Sequence, residues 1–273
     1  MIGSTHALLR TKNLKKNHLQ RHPVTNAKFA VQAFAEVNMT IHAGTTLALV
    51  GESGAGKSSL ARCLALLERP DKGEIWFEGL ELLSLERKAL LPIRGQIQII
   101  FQNPTSALNP RLSAAEIIAE PLLIQGRGTK AQQRARALEL MDQVGLPPGW
   151  KSRTPLEFSG GQRQRLAIAR ALVLDPILLI LDEALSSLDL ANQEMILKLL
   201  TDLQALHGLT YLHISHDLRL VSQFAEEVAV MHQGRIVEHA DVATIFAEPK
   251  HPYTQELLMA MPTLQSICQE RFA

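Results

Sequence analysis

The sequence predicts an α/β fold built on a largely parallel sheet, and three observations carry that reading. Short apolar runs bounded by Gly, Pro or charge alternate with helical patterns along most of the chain. Several of these runs are mainly apolar and read as strands buried on both faces. A glycine-rich loop stands between one such run and the next helical pattern. In order, the strand runs are residues 45–50, 73–77, 97–101, 177–181, 210–215 and 228–231, with helical patterns at 57–67, 162–174 and 191–206. From 103 to 158 strand-like runs vanish and helical segments 114–124 and 130–144 replace them. Pro147, Pro148 and Gly149 break the second of these, and Pro155 precedes the next helix. The chain is therefore expected to be one domain with a core of residues 1–102 and 159–246. A helical subdomain, 103–158, interrupts that core, and a short helical extension, 247–273, follows it.

Composition narrows the function classes. The 273 residues, 46% of them hydrophobic, are enough to bury a sizeable core without staples. Lys+Arg 28 against Asp+Glu 27 leaves a formal charge of +1, so no global basic field points to nucleic acid or an anionic membrane. Cys63 and Cys268 have neither a metal-ligand spacing nor the pattern of a disulfide framework, which suits a reducing, cytoplasmic compartment. The most apolar uncharged stretch, around 177–181, is far short of the ~20 residues that span a bilayer. Arg10, Lys12, Lys15 and Lys16 are not followed by an apolar signal-peptide core, so export is not expected.

The glycine-rich loop reads Gly51-Glu52-Ser53-Gly54-Ala55-Gly56-Lys57-Ser58, after a strand ending at Val50 and before a helix opening at Lys57. That is the setting a phosphate-binding loop needs. Backbone N–H groups from Ser53 to Ser58 would surround a β-phosphate, and Lys57 would reach β and γ oxygens. Ser58 would ligate Mg²⁺ and Ser59 would reach the α-phosphate. Such a spacing arises by chance in roughly one in a hundred chains of this length, so a plain flexible turn is the weaker reading.

Four further residues fall at strand ends. Asp182 follows an apolar run that would deliver its carboxylate to the C-terminal edge of the sheet, where open α/β folds bind ligands, and it would hold the metal. Glu183 is placed to polarise water for attack on the γ-phosphate. Gln102 follows the run 97–101 and would bind Mg²⁺ or the attacking water, linking the core to the helical subdomain. His216 follows the run 210–215 and would donate a hydrogen bond to the γ-phosphate. Singly, an Asp-Glu pair, a Gln or a His is more often a satisfied surface or core group. Together with the loop they describe one nucleotide site.

Over nearly its whole length the chain resembles the nucleotide-binding subunits of ABC transporters. Phe158-Ser159-Gly160-Gly161-Gln162-Arg163-Gln164-Arg165 looks like the family signature, Ser187-Leu188-Asp189 like its D-loop, and Ser215-His216-Asp217 like its switch histidine. The resemblance implies a P-loop NTPase core with a mainly parallel sheet, an antiparallel β subdomain and an inserted α-helical subdomain. It also implies ATP hydrolysis with Mg²⁺ and a head-to-tail dimer, in which Ser159, Gly160, Gly161 and Gln162 cover the ATP held by the partner. A helix starting near Gly160 would aim N–H groups and a positive dipole end at that phosphate, and Asp189 would sit at the dimer seam.

Two departures are visible. Phe158 replaces the usual Leu at a position expected to pack. Lys16-Asn17-His18 stands where the family places an aromatic ring on adenine, which makes His18 the candidate there.

Within the family, segments 101–111 and 248–258, the latter containing His251-Pro252-Tyr253, resemble ATPases serving peptide and nickel importers. His251-Pro252-Tyr253 also reads as the start of a C-terminal helix. The cysteine cluster that some members carry for an iron–sulfur centre is absent, since only Cys268 follows.

The resemblance thus implies a peripheral subunit at the cytoplasmic face of the inner membrane, powering uptake of di- or oligopeptides or nickel. Its partners would be membrane permease subunits touching residues 103–158, a paralogous ATPase or a second copy of the chain, and an extracytoplasmic substrate-binding protein. A soluble ABC-type ATPase acting on nucleic acid or ribosomes, or an exporter ATPase, is the alternative. One P-loop, one signature, no long heptad segment and a near-zero charge speak against direct nucleic-acid binding.

Overall fold

The structure is a computed structural model that describes residues 6–21 and 26–260; Cys268 and residues 261–273 of the expected extension lie outside the described residues. The chain opens with two 15-residue strands, β1 (Ala7–Arg21) and β2 (Lys28–His42). After them come β3 (Thr46–Val50), α1 (Lys57–Leu64), β4 (Lys72–Phe77) and the short β5 (Leu80–Glu81). The middle of the chain holds α2 (Leu90–Gln96), β6 (Ile97–Phe101), α3 (Pro104–Ala107), α4 (Ala114–Ile124) and α5 (Lys130–Gln143), then α6 (Gly160–Leu172), β7 (Leu178–Asp182) and α7 (Leu190–His207). The last part holds β8 (Thr210–Ile214), α8 (Leu218–Phe224), β9 (Glu227–His232), β10 (Arg235–Asp241), α9 (Val242–Ala247) and α10 (Pro252–Met259).

The chain divides into two compact units, residues 1–86 with 210–273, and residues 87–209. The expected helical subdomain, 103–158, falls wholly inside the second unit. That unit also takes in β6, α6, β7 and α7, which the sequence reading assigned to the core. The physical reason is pairing and packing: β6 and β7 lie side by side, and α6 packs against β6 and against α4 and α5 of the insert.

In the first unit an antiparallel sheet runs in the order β2-β1-β4-β5. Its long β1–β2 pair shifts register at several points between Ala7 and Asn17, and Asn13 and Glu36 sit at positive φ. Bulges of this kind break the period-2 alternation that would announce a strand in sequence. The same unit carries β10-β9-β3-β8, where β3 pairs in parallel with β8 and β9 and only β10 runs antiparallel. Every residue of β3 and β8 is buried, the polar Thr46, Thr210 and His213 included, as befits strands covered on both faces. Ala48, Val50, Val228 and Val230 meet Leu218 and Val221 of α8 and Val242 and Ile245 of α9, and Tyr253, Leu257 and Leu258 of α10 pack on the same cluster.

In the second unit β6 and β7 pair in parallel from Ile97↔Leu178 to Phe101↔Asp182. α4 and α5 both begin with reciprocal capping, Ser113 with Glu116 and Thr129 with Gln132. Each cap satisfies two helix N–H groups that would otherwise be orphaned, which is why these starts were readable from sequence. Among the described residues no helix is long and apolar enough to cross a membrane.

Candidate nucleotide site

β3 delivers the chain to Gly51, whose φ is +145° and whose absent Cβ would lie 2.1 Å from the Met231 carbonyl oxygen. Gly56 is constrained in the same way, at φ +104° and with a Cβ position 2.3 Å from the Ala33 oxygen. Only glycine fits either place. Gly56 is also the N-cap of α1, so no side chain caps that helix, and its first turn carries no acidic residue. An uncapped helix start with its dipole end exposed is a ready anion site. Lys57 is buried, with Nζ donating to the Gly51 oxygen at 2.7 Å and the Glu52 oxygen at 2.8 Å. A buried ammonium among carbonyl oxygens brings a positive charge to the loop that an anion can meet.

Glu52, Ser53 and Gly54 are exposed, Ala55 is buried, and Ser58 and Ser59 are half-buried on α1. Ser59 Oγ lies 3.0 Å from His18 Nε2, so the adenine candidate on β1 stands against the loop. His216 follows directly after Ser215, whose N–H donates to the Leu49 oxygen at 3.3 Å in the parallel β3–β8 pair. That register brings exposed His216 to the strand edge from which the loop emerges. This unit therefore groups residues 51–59, His18 and His216.

The other unit groups the remaining candidates. The sequence ended its strand at 181, yet Asp182 is the last residue of β7, paired with Phe101 and 5% exposed. Gln102 leaves β6 at the same edge and donates from Nε2 to Ser186 Oγ at 3.3 Å, while Ser186 Oγ donates to the Glu183 oxygen at 2.9 Å. Gln102, Asp182 and Glu183 are thus brought together, with Ser186 as a link that the sequence reading missed. Glu183 sits at φ +50°, a left-handed conformation that costs a non-glycine residue on the order of 1 kcal/mol and clusters at functional turns.

Ser159 is the N-cap of α6: its Oγ accepts from Gln162 N at 3.4 Å, and Gln162 Oε1 accepts from Ser159 N at 3.0 Å. Of the N–H groups at this helix start, that of Gln162 is taken by the Ser159 hydroxyl. Asp189 caps α7 in turn, accepting from Asn192 N at 2.9 Å and Asn192 Nδ2 at 2.7 Å. The Asn192 backbone bond, then its side chain, holds the Asp189 carboxyl below its usual range. Asn192 also abuts Gly161, where a Cβ would come within 2.6 Å of its Oδ1. Signature and D-loop residues are in this way joined through Asn192. Phe158 is buried with the Trp150 ring edge-on at 6.0 Å, so it packs as expected.

Two residues of the first unit escaped the sequence reading. The Tyr253 hydroxyl accepts from Glu52 N at 2.8 Å, and His232 Nδ1 lies 3.3 Å from Glu52 Oε1. The sequence reading gave His251-Pro252-Tyr253 as part of a resemblance and as a helix start, and a helix start it is: His251 Nδ1 accepts from Tyr253 N at 3.2 Å and Pro252 opens α10. Cys63 is buried on α1 and its thiol is pushed up to about 12 by desolvation, so it is inert near neutral pH.

A family model described as ABC transporter matches residues 34–186, more than half of the chain. The chain belongs to the ABC transporter family. Two curated relatives in that family are the dipeptide transport ATP-binding proteins DppF of Escherichia coli (strain K12) and of Haemophilus influenzae. They are 47% and 44% identical over 261 residues, covering 94% of this chain and 77% and 79% of those proteins. The ATP-binding cassette MJ0796, solved as a dimer in a post-hydrolysis state bound to ADP and Pi, has a TM-score of 0.75 and 29% identity over 86% of this chain and 98% of that one. The structure of cbiO1 from Clostridium perfringens, part of the ABC transporter complex cbiONQ, has a TM-score of 0.76 and 26% identity, covering 96% and 99%. As an ABC transporter protein the chain is an ATP-binding, ATP-hydrolysing subunit, with the P-loop α/β architecture the sequence predicted.

Proposed function

We propose that this ATPase energises peptide uptake through separate membrane subunits, with residues 51–59 holding the ATP phosphates. The observation that carries the nucleotide site is the uncapped start of α1 with buried Lys57 beside it. The substrate class rests on the likeness to dipeptide transport ATP-binding proteins across 94% of the chain. Of the expected pair, peptides or nickel, peptides are what those relatives' descriptions carry.

Lys57 supplies a fixed positive charge to the β- and γ-phosphates, and His216 donates a hydrogen bond to the γ-phosphate. Glu183 orients and polarises the attacking water, since in-line phosphoryl transfer depends on positioning more than on covalent chemistry. His18 lies along the adenine. Mg²⁺ supplies charge neutralisation of the phosphates. Among the described residues no cluster of three or more His, Cys, Asp or Glu forms a metal cage. Ser58, Gln102 and Asp182 offer only a hydroxyl, an amide oxygen and a carboxylate, a sparse hard-oxygen set suited to Mg²⁺ that keeps water and phosphate ligands.

The subunit works as a dimer, with a paralogous ATPase or with itself. Ser159 to Gln162 lend a cover to the partner's nucleotide and Asp189 lies at the seam. It attaches peripherally to the cytoplasmic side of permease subunits, whose complex takes peptide from an extracytoplasmic binding protein. A groove of about 520 Å³ among Leu112, Ala119, Glu120, Leu123, Arg134 and Lys151, within the inserted helices, supports that docking face.

The test is ATP turnover and ATP-dependent dimerisation of the full chain, alone and with its permeases in vesicles loaded for peptide uptake. Glu183→Gln should bind ATP and accumulate as a dimer with turnover lost. Undiminished hydrolysis by that variant sinks the role given to Glu183, and absent peptide uptake with intact hydrolysis sinks the substrate class.

A further inference from the structure

The C-terminal segment reaches the phosphate loop through one side chain. Tyr253, on α10, accepts a hydrogen bond from Glu52 N at 2.8 Å. That N–H belongs to the peptide group joining Gly51 and Glu52, and the carbonyl of the same group accepts from Lys57 Nζ at 2.7 Å. A trans peptide is planar, with its N–H and C=O pointing to opposite sides. Fixing the N–H on one side therefore fixes the oxygen that holds Lys57 on the other, and a bond at one end polarises the group toward a stronger bond at the other.

Tyr253 is itself well anchored. Its ring stacks on His232 at 3.9 Å between centroids and 29° between planes, and His232 Nδ1 lies 3.3 Å from Glu52 Oε1. The segment leading into α10 is clamped to β10, where Glu238 accepts from Lys250 N at 2.8 Å and His251 N at 3.0 Å. Leu257 and Leu258 seat the helix on the apolar cluster shared with α8 and α9. Without Tyr253, the peptide group after Gly51, at φ +145°, would lose the bond that fixes its N–H side.

We infer that Tyr253 is a positioning residue of the nucleotide site, acting through the Gly51–Glu52 peptide to hold Lys57 where the phosphates bind. This rests on the reading of 51–59 as the ATP site. The side chain touches no phosphate. It makes the C-terminal segment part of the phosphate loop's scaffold.

Tyr253→Phe tests it in the full-length chain, because it keeps the ring and its stack on His232 and removes only the oxygen that accepts from Glu52. Losing one hydrogen bond of this kind corresponds to roughly a three- to tenfold effect. The Kd for ATP and for inorganic triphosphate should rise together by that factor, and the KM for ATP likewise, while kcat falls by a smaller factor and Tm stays nearly constant. Tyr253→Ala, which also removes the stack, should weaken both ligands further. An unchanged Kd in Tyr253→Phe overturns the inference. So does a change confined to ATP and not shared by triphosphate, since that would place the effect at the base. A wild-type chain that binds neither ligand overturns the nucleotide site itself, a result distinct from either.

Discussion

Two helices in this protein begin at glycine-rich turns, and they are finished differently. α1 starts at Gly56, which has no side chain to offer, and its N-terminal end is left uncapped. α6 starts at Ser159, which closes a reciprocal cap with Gln162. The first, proposed above as the phosphate site, is left open by its sequence. The second is closed by its own side chains, a hydroxyl and an amide bonded to each other's backbone N–H groups. The neighbours of the glycines differ in the same sense. Gly51 and Gly56 are pressed against backbone oxygens, whereas Gly161 faces the tip of an Asn192 side chain. A side chain added at Gly51 or Gly56 meets backbone that cannot move aside, whereas one added at Gly161 meets a side chain that can.

The largest expected effect separates binding from chemistry. Lys57→Ala should abolish measurable ATP binding, and Glu183→Gln should keep binding while turnover drops by about a hundredfold or more, read by equilibrium binding beside steady-state hydrolysis. Equal losses of affinity in both variants would erase the distinction.

Next come the glycines. Gly51→Ala places a Cβ 2.1 Å from a carbonyl oxygen at positive φ, so a loss of about 3 kcal/mol or more is expected by denaturant melts. Gly161→Ala meets a side-chain atom at 2.6 Å that can swing away, and about 1 kcal/mol is expected. Similar costs at the two sites would show the second turn to be as rigid as the first.

The first unit also carries a pH dependence. His213 on β8 is fully buried with neither ring nitrogen hydrogen-bonded, and desolvation pushes it down to about 4 from an ordinary 6.5, with Asp217 pulling weakly upward. Between these values the unfolded chain takes up a proton that the folded chain refuses. The unfolded state thus binds more protons, and stability falls as pH drops through that window by at most about 3 kcal/mol. Hydrogen exchange should show β3 and β8 losing protection before β6 and β7, and His213→Leu should flatten the curve.

The smallest effect is the cap. Ser159→Ala should cost about 1 kcal/mol in α6 and Ser159→Gly only a few tenths, measured by thermal melts. Ser159→Asp should keep the cap yet weaken ATP-driven dimerisation by placing a negative charge toward phosphate.

Much of this was legible residue by residue. The mainly apolar runs became β3, β6, β7, β8 and β9, and the helix 114–124 matches α4 at both ends because Ser113 and Glu116 announce its start. The β1–β2 pair was not legible, since bulges and a polar run around Lys15 to His18 hide its period. The grouping of β6, β7 and α6 with the insert escaped for a different reason, because it depends on which strands pair, and pairing is not written in any one segment.

The sequence by itself pointed to the glycine-rich loop 51–58, the strand ends that carry Gln102, Asp182, Glu183 and His216, and a helix beginning near Gly160. Local chemistry suffices for these: glycine where φ is positive, a cap where a helix begins, an apolar strand that ends in a carboxylate. Only the tertiary structure decided that Tyr253 bonds to Glu52 across 201 positions, that His18 lies against Ser59, and that Asn192 fills the space beside Gly161. Those contacts follow from how strands and helices pack, and packing distances between residues far apart in the chain leave no periodic trace in it.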